Sequence, residues 1–250
     1  TLYLATDNGL SVSTDGGWSY TTSLLGKSIS SIAVHKGVWY VGVKGVGAGL
    51  YISIDRGVTY SHHSVEPAIS VWNVEVTDLA IYVGTTEGLA VSKDGGESFT
   101  FYTEEDSALP QNSINGIKAL GNTSIQVVAK RRGLSFSKNS GLSFAAFDST
   151  TTGIENDSTT SVEYLEGDTF VITTEGGLSV TNDFGDNWSA KLFGISLTSS
   201  VYNSELNQLV IGSLNSGIYL SSDKGQNFTN ITTANGLLSD LITAVNFASD

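Results

Sequence analysis

A short turn built on Asp or Asn followed by Gly occurs six times in this chain, and that recurrence restricts the fold more than any other feature. The copies span Ser13–Trp18, Ser53–Tyr60, Ser92–Phe99, Ser137–Phe144, Thr181–Trp188 and Ser222–Phe228. Six copies of one turn require six copies of one supersecondary unit. The acidic or amide side chain can accept backbone N–H groups further along the turn, and the glycine takes a positive φ without steric cost. The aromatic residue then re-enters a strand. Asp15, Asp55, Asp94, Asn139, Asp183 and Asp223 are separated by 40, 39, 45, 44 and 40 residues, and the two chain ends together supply a further 42. The ends therefore add up to one more repeat.

Each period holds four short runs that alternate apolar and polar residues. The clearest are Ser30–His35, Val38–Val43, Leu50–Ile54 and Thr59–Ser64. Helical periodicity is missing, and the two prolines, Pro67 and Pro110, fall in connections. Four strands in each period of this length is the arithmetic of a propeller blade. Leu2–Thr6, Leu10–Thr14 and Ser19–Ser23 read as the second to fourth strands of a first blade that lacks its inner strand. The expected fold is all-β, one domain over 1–250, a six-bladed β-propeller of four-stranded antiparallel blades. Its ring is expected to close where the C-terminal strand Leu241–Ala248 pairs with Leu2–Thr6 and completes the first blade.

The pattern Ser-x-Asp-x-Gly-x-x-Trp/Phe resembles the Asp-box of sialidase-type (BNR) repeats over the whole chain. The first copy departs from it, with Trp18 only two residues after Gly16. Residues 232–245 are similar to the linker of two-component-regulator propeller repeats, with weaker echoes at 108–117 and 153–162. The resemblance implies that the turn joins the third and fourth strands of a blade, on the rim opposite the face where propellers usually act. The boxes are therefore read as structural, and Trp18 and Trp188 as core residues. It also invites a sialidase assignment, which needs three arginines converging on a carboxylate. The arginines here are Arg56, inside a box, and the neighbours Arg131 and Arg132, so that site cannot be assembled.

A net charge of −13 leaves little to gain from phosphate contacts, which argues against nucleic acid as a partner. No cysteine is present, so disulfides and thiolate chemistry are excluded. Methionine is absent as well, so the chain is expected to begin after a processed or trimmed segment. No apolar run is long enough to cross a bilayer as a helix. The Ser/Thr/Asn/Gly-rich composition fits an extracellular, periplasmic or cell-surface setting, with no membrane insertion.

Function is expected where the repeats differ, since the fold does not need those residues. The long connections at 61–70, 104–113 and 149–159 and the short turns carry His62, His63, Trp72, Glu87, Glu104, Lys130, Arg131, Arg132, Asp157 and Glu175. Adjacent strand residues point to opposite faces, so His62 and His63 read as turn residues before a metal pair. Lys130-Arg131-Arg132 could clamp a carboxylate or sulfate or be a solvated turn. Trp72 is either a stacking platform for a sugar or a packing residue. No pair of carboxylates stands out as a glycosidase acid and nucleophile. The expectation is a non-enzymatic, monomeric recognition module for a protein partner or glycan, acting through the face opposite the boxes. No cofactor is expected; calcium is the ion the boxes could attract, though each copy alone offers too few oxygens. The alternatives are a glycoside hydrolase or polysaccharide lyase, and a rigid spacer or sensor domain.

Overall fold

A computed structural model describes residues 1–68, 70–109, 111–114, 116–119, 125–128, 133–150 and 152–247. It is all-β and divides into two compact units, Thr1–Ala129 with Ser135–Ala146, and Lys130–Leu134 with Phe147–Asp250.

The first unit carries four antiparallel sheets. The first is β1 (Leu2–Thr6), β2 (Gly9–Ser13) and β3 (Thr21–Ser23). The second is β4 (Ser28–His35), β5 (Val38–Lys44), β6 (Gly49–Ser53) and β7 (Ser61–His63), and the third is β8 (Val71–Val76), β9 (Ile81–Thr85), β10 (Leu89–Ser92) and β11 (Thr100–Tyr102). The fourth, β12 (Gly116–Ala119), β13 (Ile125–Val128), β14 (Leu134–Ser137) and β15 (Ala145–Phe147), runs up to the boundary between the units. The second unit holds β16 (Thr159–Glu166), β17 (Thr169–Thr174), β18 (Leu178–Thr181) and β19 (Ser189–Lys191), then β20 (Leu197–Asn203), β21 (Gln208–Ser213), β22 (Ile218–Ser221) and β23 (Thr229–Ile231). Strands pair in sequence order within every sheet, as successive hairpins do.

Burial grades across each sheet. The two middle strands are covered on both faces, so all residues of β9 and β10 are buried, and their sequences are apolar or hydroxyl-bearing throughout. The fourth strands are only three residues long and largely exposed, which limits the unpaired edge each offers.

Two locks hold the hairpins. In the repeated turn the Asp accepts from the backbone four residues on, as in Ser98 N to Asp94 Oδ1 at 3.0 Å and Thr59 N to Asp55 Oδ1 at 2.9 Å. The Ser or Thr two residues before it donates to the same carboxylate and accepts from the glycine N–H, as Ser92 does at 2.8 Å in each case. The residue after the Asp or Asn has positive φ in every copy, including Arg56, Ser140, Phe184 and Lys224 at 57° to 60°. At the other end of the sheets a hydroxyl closes the turn between the second and third strands. Thr6, Thr85 and Thr174 donate to the carbonyls of Gly9, Gly88 and Gly177 at 2.7 to 2.9 Å. A side chain at Gly88 would lie 2.4 Å from the Tyr102 carbonyl oxygen, and its φ is +140°.

In the first unit, the second sheet joins the third, and the third the fourth, through a socket and a hydrogen bond. Gly42 faces Val71 and Gly84 faces Ile114, where an added Cβ would come within 3 Å of the neighbour. The Ser31 hydroxyl accepts from Val74 N at 3.1 Å, and Asn73 Oδ1 accepts from Ile117 N at 3.1 Å.

The C-terminal segment repeats this joint on the sixth sheet. Gly212 faces Ile242, Ser199 Oγ accepts from Val245 N at 3.1 Å, and Thr198 Oγ1 donates to the Ile242 carbonyl at 2.7 Å. Residues 241–247 nevertheless form no strand, and Ala248 lies outside the described residues. The expected strand Leu241–Ala248 is thus corrected to an irregular segment docked on β20 and β21, held by side chains and by Ile242 N on the Ser213 carbonyl rather than by a ladder. The first sheet has three strands, and Leu2 and Leu4 are 46% and 45% exposed where the equivalent Ile81 and Val83 of β9 are buried.

Trp18 is corrected too: it is 91% exposed. Counting from the Asp, Trp18 shares its place with Val58 and Glu97, while the recurring aromatic of the first turn is Tyr20, matching Tyr60 and Phe99. In the sixth turn the hydroxyl that meets Asp223 belongs to Ser221, at 2.8 Å, one residue before the expected Ser222. Trp188 packs edge-on against Phe147 and Phe170, at 5.6 and 5.2 Å between ring centres.

Candidate functional site

The turns joining second to third strands and the connections between sheets lie together at one end of each unit. Hydrogen bonds tie them to each other, as in Thr86 N to the Ser70 carbonyl (3.3 Å) in the first unit and Leu214 N to the Ser196 carbonyl (2.9 Å) in the second. We call this end the loop end; the repeated Asp turns lie at the other.

The loop end of the first unit is cationic and aromatic. Lys27 Nζ sits 5.1 Å from the centre of the Tyr51 ring, against which His62 packs at 4.7 Å. His62 is exposed and its Nε2 lies 3.1 Å from the Ala48 carbonyl. Lys44 Nζ stands 5.8 Å over the Trp72 ring and 3.4 Å from Asp7. The Asp7 carboxyl is held below its ordinary value by a hydrogen bond from Ser28 and then by Lys44. Trp72 is half-buried, with its indole Nε1 out of solvent and without a partner among the described residues, and Lys44 roofs its ring.

His63 faces the other way, as expected of strand neighbours. Its Nδ1 is 2.9 Å from the Gly96 carbonyl and its Nε2 2.9 Å from Ser61 Oγ, which ties it to the third Asp turn. Glu87 is exposed in the β9–β10 turn, where its N–H donates to Thr85 Oγ1 at 3.0 Å, and Glu104 is exposed in its connection. Lys130, Arg131 and Arg132 lie outside the described residues. In the second unit Asp157 closes its own loop by accepting from Ser149 N at 2.7 Å, and Glu175 is exposed at the β17–β18 turn. Among the described residues no three His, Asp or Glu side chains come together as a ligand set for a metal.

The loop end of the second unit presents large apolar side chains that the sequence alone does not single out. Phe193 is 80% exposed, Leu238 is fully exposed, and Leu214 and Leu241 are about half exposed at 47% and 51%. Their loops are contiguous, since Gly194 N donates to the Gly176 carbonyl (2.7 Å), Ile242 N to Ser213 (2.9 Å) and Gly217 N to Asp240 (2.9 Å).

The Asp turns are electrostatically settled by their own backbone. The carboxyls of Asp55, Asp94 and Asp183 are pushed down to about 2, first by the side chain four residues on and then by the backbone N–H of that residue. Asp223 is pushed down to about 2 first by the Asn227 N–H, and Asp15 is held lower still, chiefly by Ser19. Asn139 occupies the same geometry without charge, accepting from Ser143 N at 2.9 Å. Burial raises the Glu75 carboxyl on β8, which accepts from Ala119 N at 3.4 Å.

No protein-family model matches the chain, and no curated protein matches it either. Solved structures do. YCF48 bound to D1 peptide is 12% identical, with a TM-score of 0.64, over 94% of this chain and 80% of that one. The extracellular domain of the putative hybrid two-component system BT4673 from B. thetaiotaomicron is 16% identical with a TM-score of 0.67, and the GH74 xyloglucanase from Xanthomonas campestris 15% with 0.66. Each is matched over 97% of this chain, which spans 33% of the first and 46% of the second. All three are β-propeller proteins, and the likeness shows that fold.

Proposed function

We propose that this chain is a non-enzymatic recognition module of the Asp-box propeller type, binding an extended segment of a partner protein across its loop end. The observation that carries this reading is that Phe193, Leu214, Leu238 and Leu241 stand exposed to water on hydrogen-bonded neighbouring loops of a strongly acidic chain. Burying about half of the surface of such side chains would supply several kcal/mol at ~25 cal/mol per Å², enough for a peptide contact. The peptide complex of YCF48 gives this reading a precedent on the same fold. A glycan platform at Trp72 is less well supported, because that ring is half-buried beneath Lys44.

The same reading takes the chain as one six-bladed ring, monomeric, secreted or at a cell surface, with residues 241–248 completing the first blade. Phage display of random peptides tests the binding, with a glycan array and a glycosidase and lyase panel beside it. Apolar peptides should be selected, and the double variant Phe193→Ser with Leu214→Ser should lose them without a change in melting temperature. Selection of no peptide, retention of binding by the variant, or turnover of any substrate would overturn the proposal.

A further inference from the structure

The first unit has a second concave site at its Asp-turn end, away from the loops. A cavity of about 230 Å³ opens between the β4–β5 turn, the β8–β9 turn and the third Asp turn. Ala80 and Ile81 give it a buried apolar lining, and Tyr40 contributes a half-buried ring. Its rim carries the charged side chains of Lys36, Asp78 and Lys93, all exposed, with the half-buried His35 and the exposed Leu79 beside them. Asp78 is already engaged, with His35 Nε2 at 2.7 Å and Lys36 Nζ at 2.5 Å.

Two groups are left over. Lys93 has no carboxylate partner and the Tyr40 hydroxyl no hydrogen-bond partner among the described residues. The lining thus holds two lysines and a histidine with a single carboxylate, on a chain whose net charge is −13. Local cationic excess against that background favours an anion at this cavity.

We propose that this cavity binds a small organic anion of about monosaccharide size, its carboxylate or sulfate held by Lys93 and Lys36 and its body set against Tyr40. An ammonium donor to an anionic oxygen is the stronger class of hydrogen bond, and the apolar wall gives the ligand body something to cover. Asp78 competes with the ligand for Lys36. Its removal therefore should strengthen binding, whereas removal of a lysine should weaken it.

The test is titration of the whole chain with glucuronate and with glucose 6-sulfate, using glucose as the neutral control and inorganic sulfate to separate charge from body. Heat and amide chemical shifts at residues 36, 78 and 93 are the readouts. A ligand of this size should saturate with a dissociation constant on the order of millimolar. Lys93→Gln should weaken both sugar anions about tenfold, a loss of ~1.4 kcal/mol. Asp78→Asn should tighten them, and glucose should not bind. Lys36→Gln is the second variant should the Lys93 protein melt early. Failure of both anions to saturate by about 50 mM, far above the millimolar range a ligand of this size warrants, would overturn the proposal. So would an unchanged constant in Lys93→Gln, or glucose binding as well as glucuronate. Because this site and the loop end are tested with different ligands and different variants, either reading can fail alone.

Discussion

Replacing Ser92 by alanine removes the one hydroxyl that locks the third Asp turn from inside. Ser92 Oγ donates to Asp94 Oδ1 at 2.8 Å, accepts from Gly96 N at 2.8 Å and lies 3.4 Å from Asp94 N. Both Ser92 and Gly96 are buried, so the Gly96 N–H would be left without an acceptor in a dry place. Orphaning a buried donor costs about 1–3 kcal/mol, and the Asp94 end of the broken pair adds little because water can replace the hydroxyl there. A loss of about 2 kcal/mol corresponds to a fall of about 4–8 °C in melting temperature for a chain of this length. Differential scanning calorimetry measures it, and urea unfolding should show a lower midpoint at an unchanged slope. The Asp94 carboxyl should also titrate higher than about 2, by less than in Ser98→Ala, because Ser98 is the larger cause of its depression. A melting point within about 1 °C of the parent together with an unmoved Asp94 titration would refute the account of the turn.

Acid should unfold the protein through these same turns. Asp55, Asp94, Asp183 and Asp223 titrate at about 2 when folded against ~3.9 when unfolded, so the folded state binds fewer protons. Their contribution is therefore complete above about pH 4–5 and lost as pH falls toward 2; a urea midpoint that stays level from pH 5 to pH 2.5 would contradict this. Arg56→Gly should stabilise, because a left-handed residue with a Cβ costs ~1–2 kcal/mol and glycine's added chain entropy offsets about half of that. A rise of about 1–3 °C in melting temperature is expected, and a fall would refute it. Gly84→Ala should destabilise by about 1–3 kcal/mol, since the new methyl would meet the Ile114 carbonyl oxygen at 2.8 Å. Chemical denaturation reads that loss directly.

Strands were legible as short runs rich in apolar and hydroxyl-bearing residues between turn signals, although burial in the middle strands does not alternate. β1, β8 and β17 begin and end where alternation predicts, at Leu2–Thr6, Val71–Val76 and Thr169–Thr174. The turn was legible through its Asp and Gly. Its aromatic was misread in the first copy, because Trp18 is the bulkier residue while the count from Asp15 points to Tyr20. Positive φ at Arg56 and Phe184 leaves no trace in composition, since neither residue favours it. The candidate site was only partly legible. His62 and Trp72 do come to the loop end, but the lysines over Tyr51 and Trp72 depend on how two separate hairpins approach. Phe193 and Leu214 look like core residues in a sequence, and only the path of their loops turns them outward.

The glycine sockets make the second, third and sixth sheets receptacles for the segment that follows each in the chain. Val71 enters beside Gly42, Ile114 beside Gly84 and Ile242 beside Gly212, with the same partner chemistry each time. A repeat copied by duplication would arrive with both halves of that joint already matched. The array can therefore gain or lose a repeat without inventing an interface. The first and fifth sheets differ, with Ala5 and Thr173 at the equivalent position, and the Thr173 hydroxyl is tied to Thr160 and to the Ser161 carbonyl. A lineage that reshuffled these repeats would find the second, third and sixth sheets the easiest to exchange, because their sockets already match.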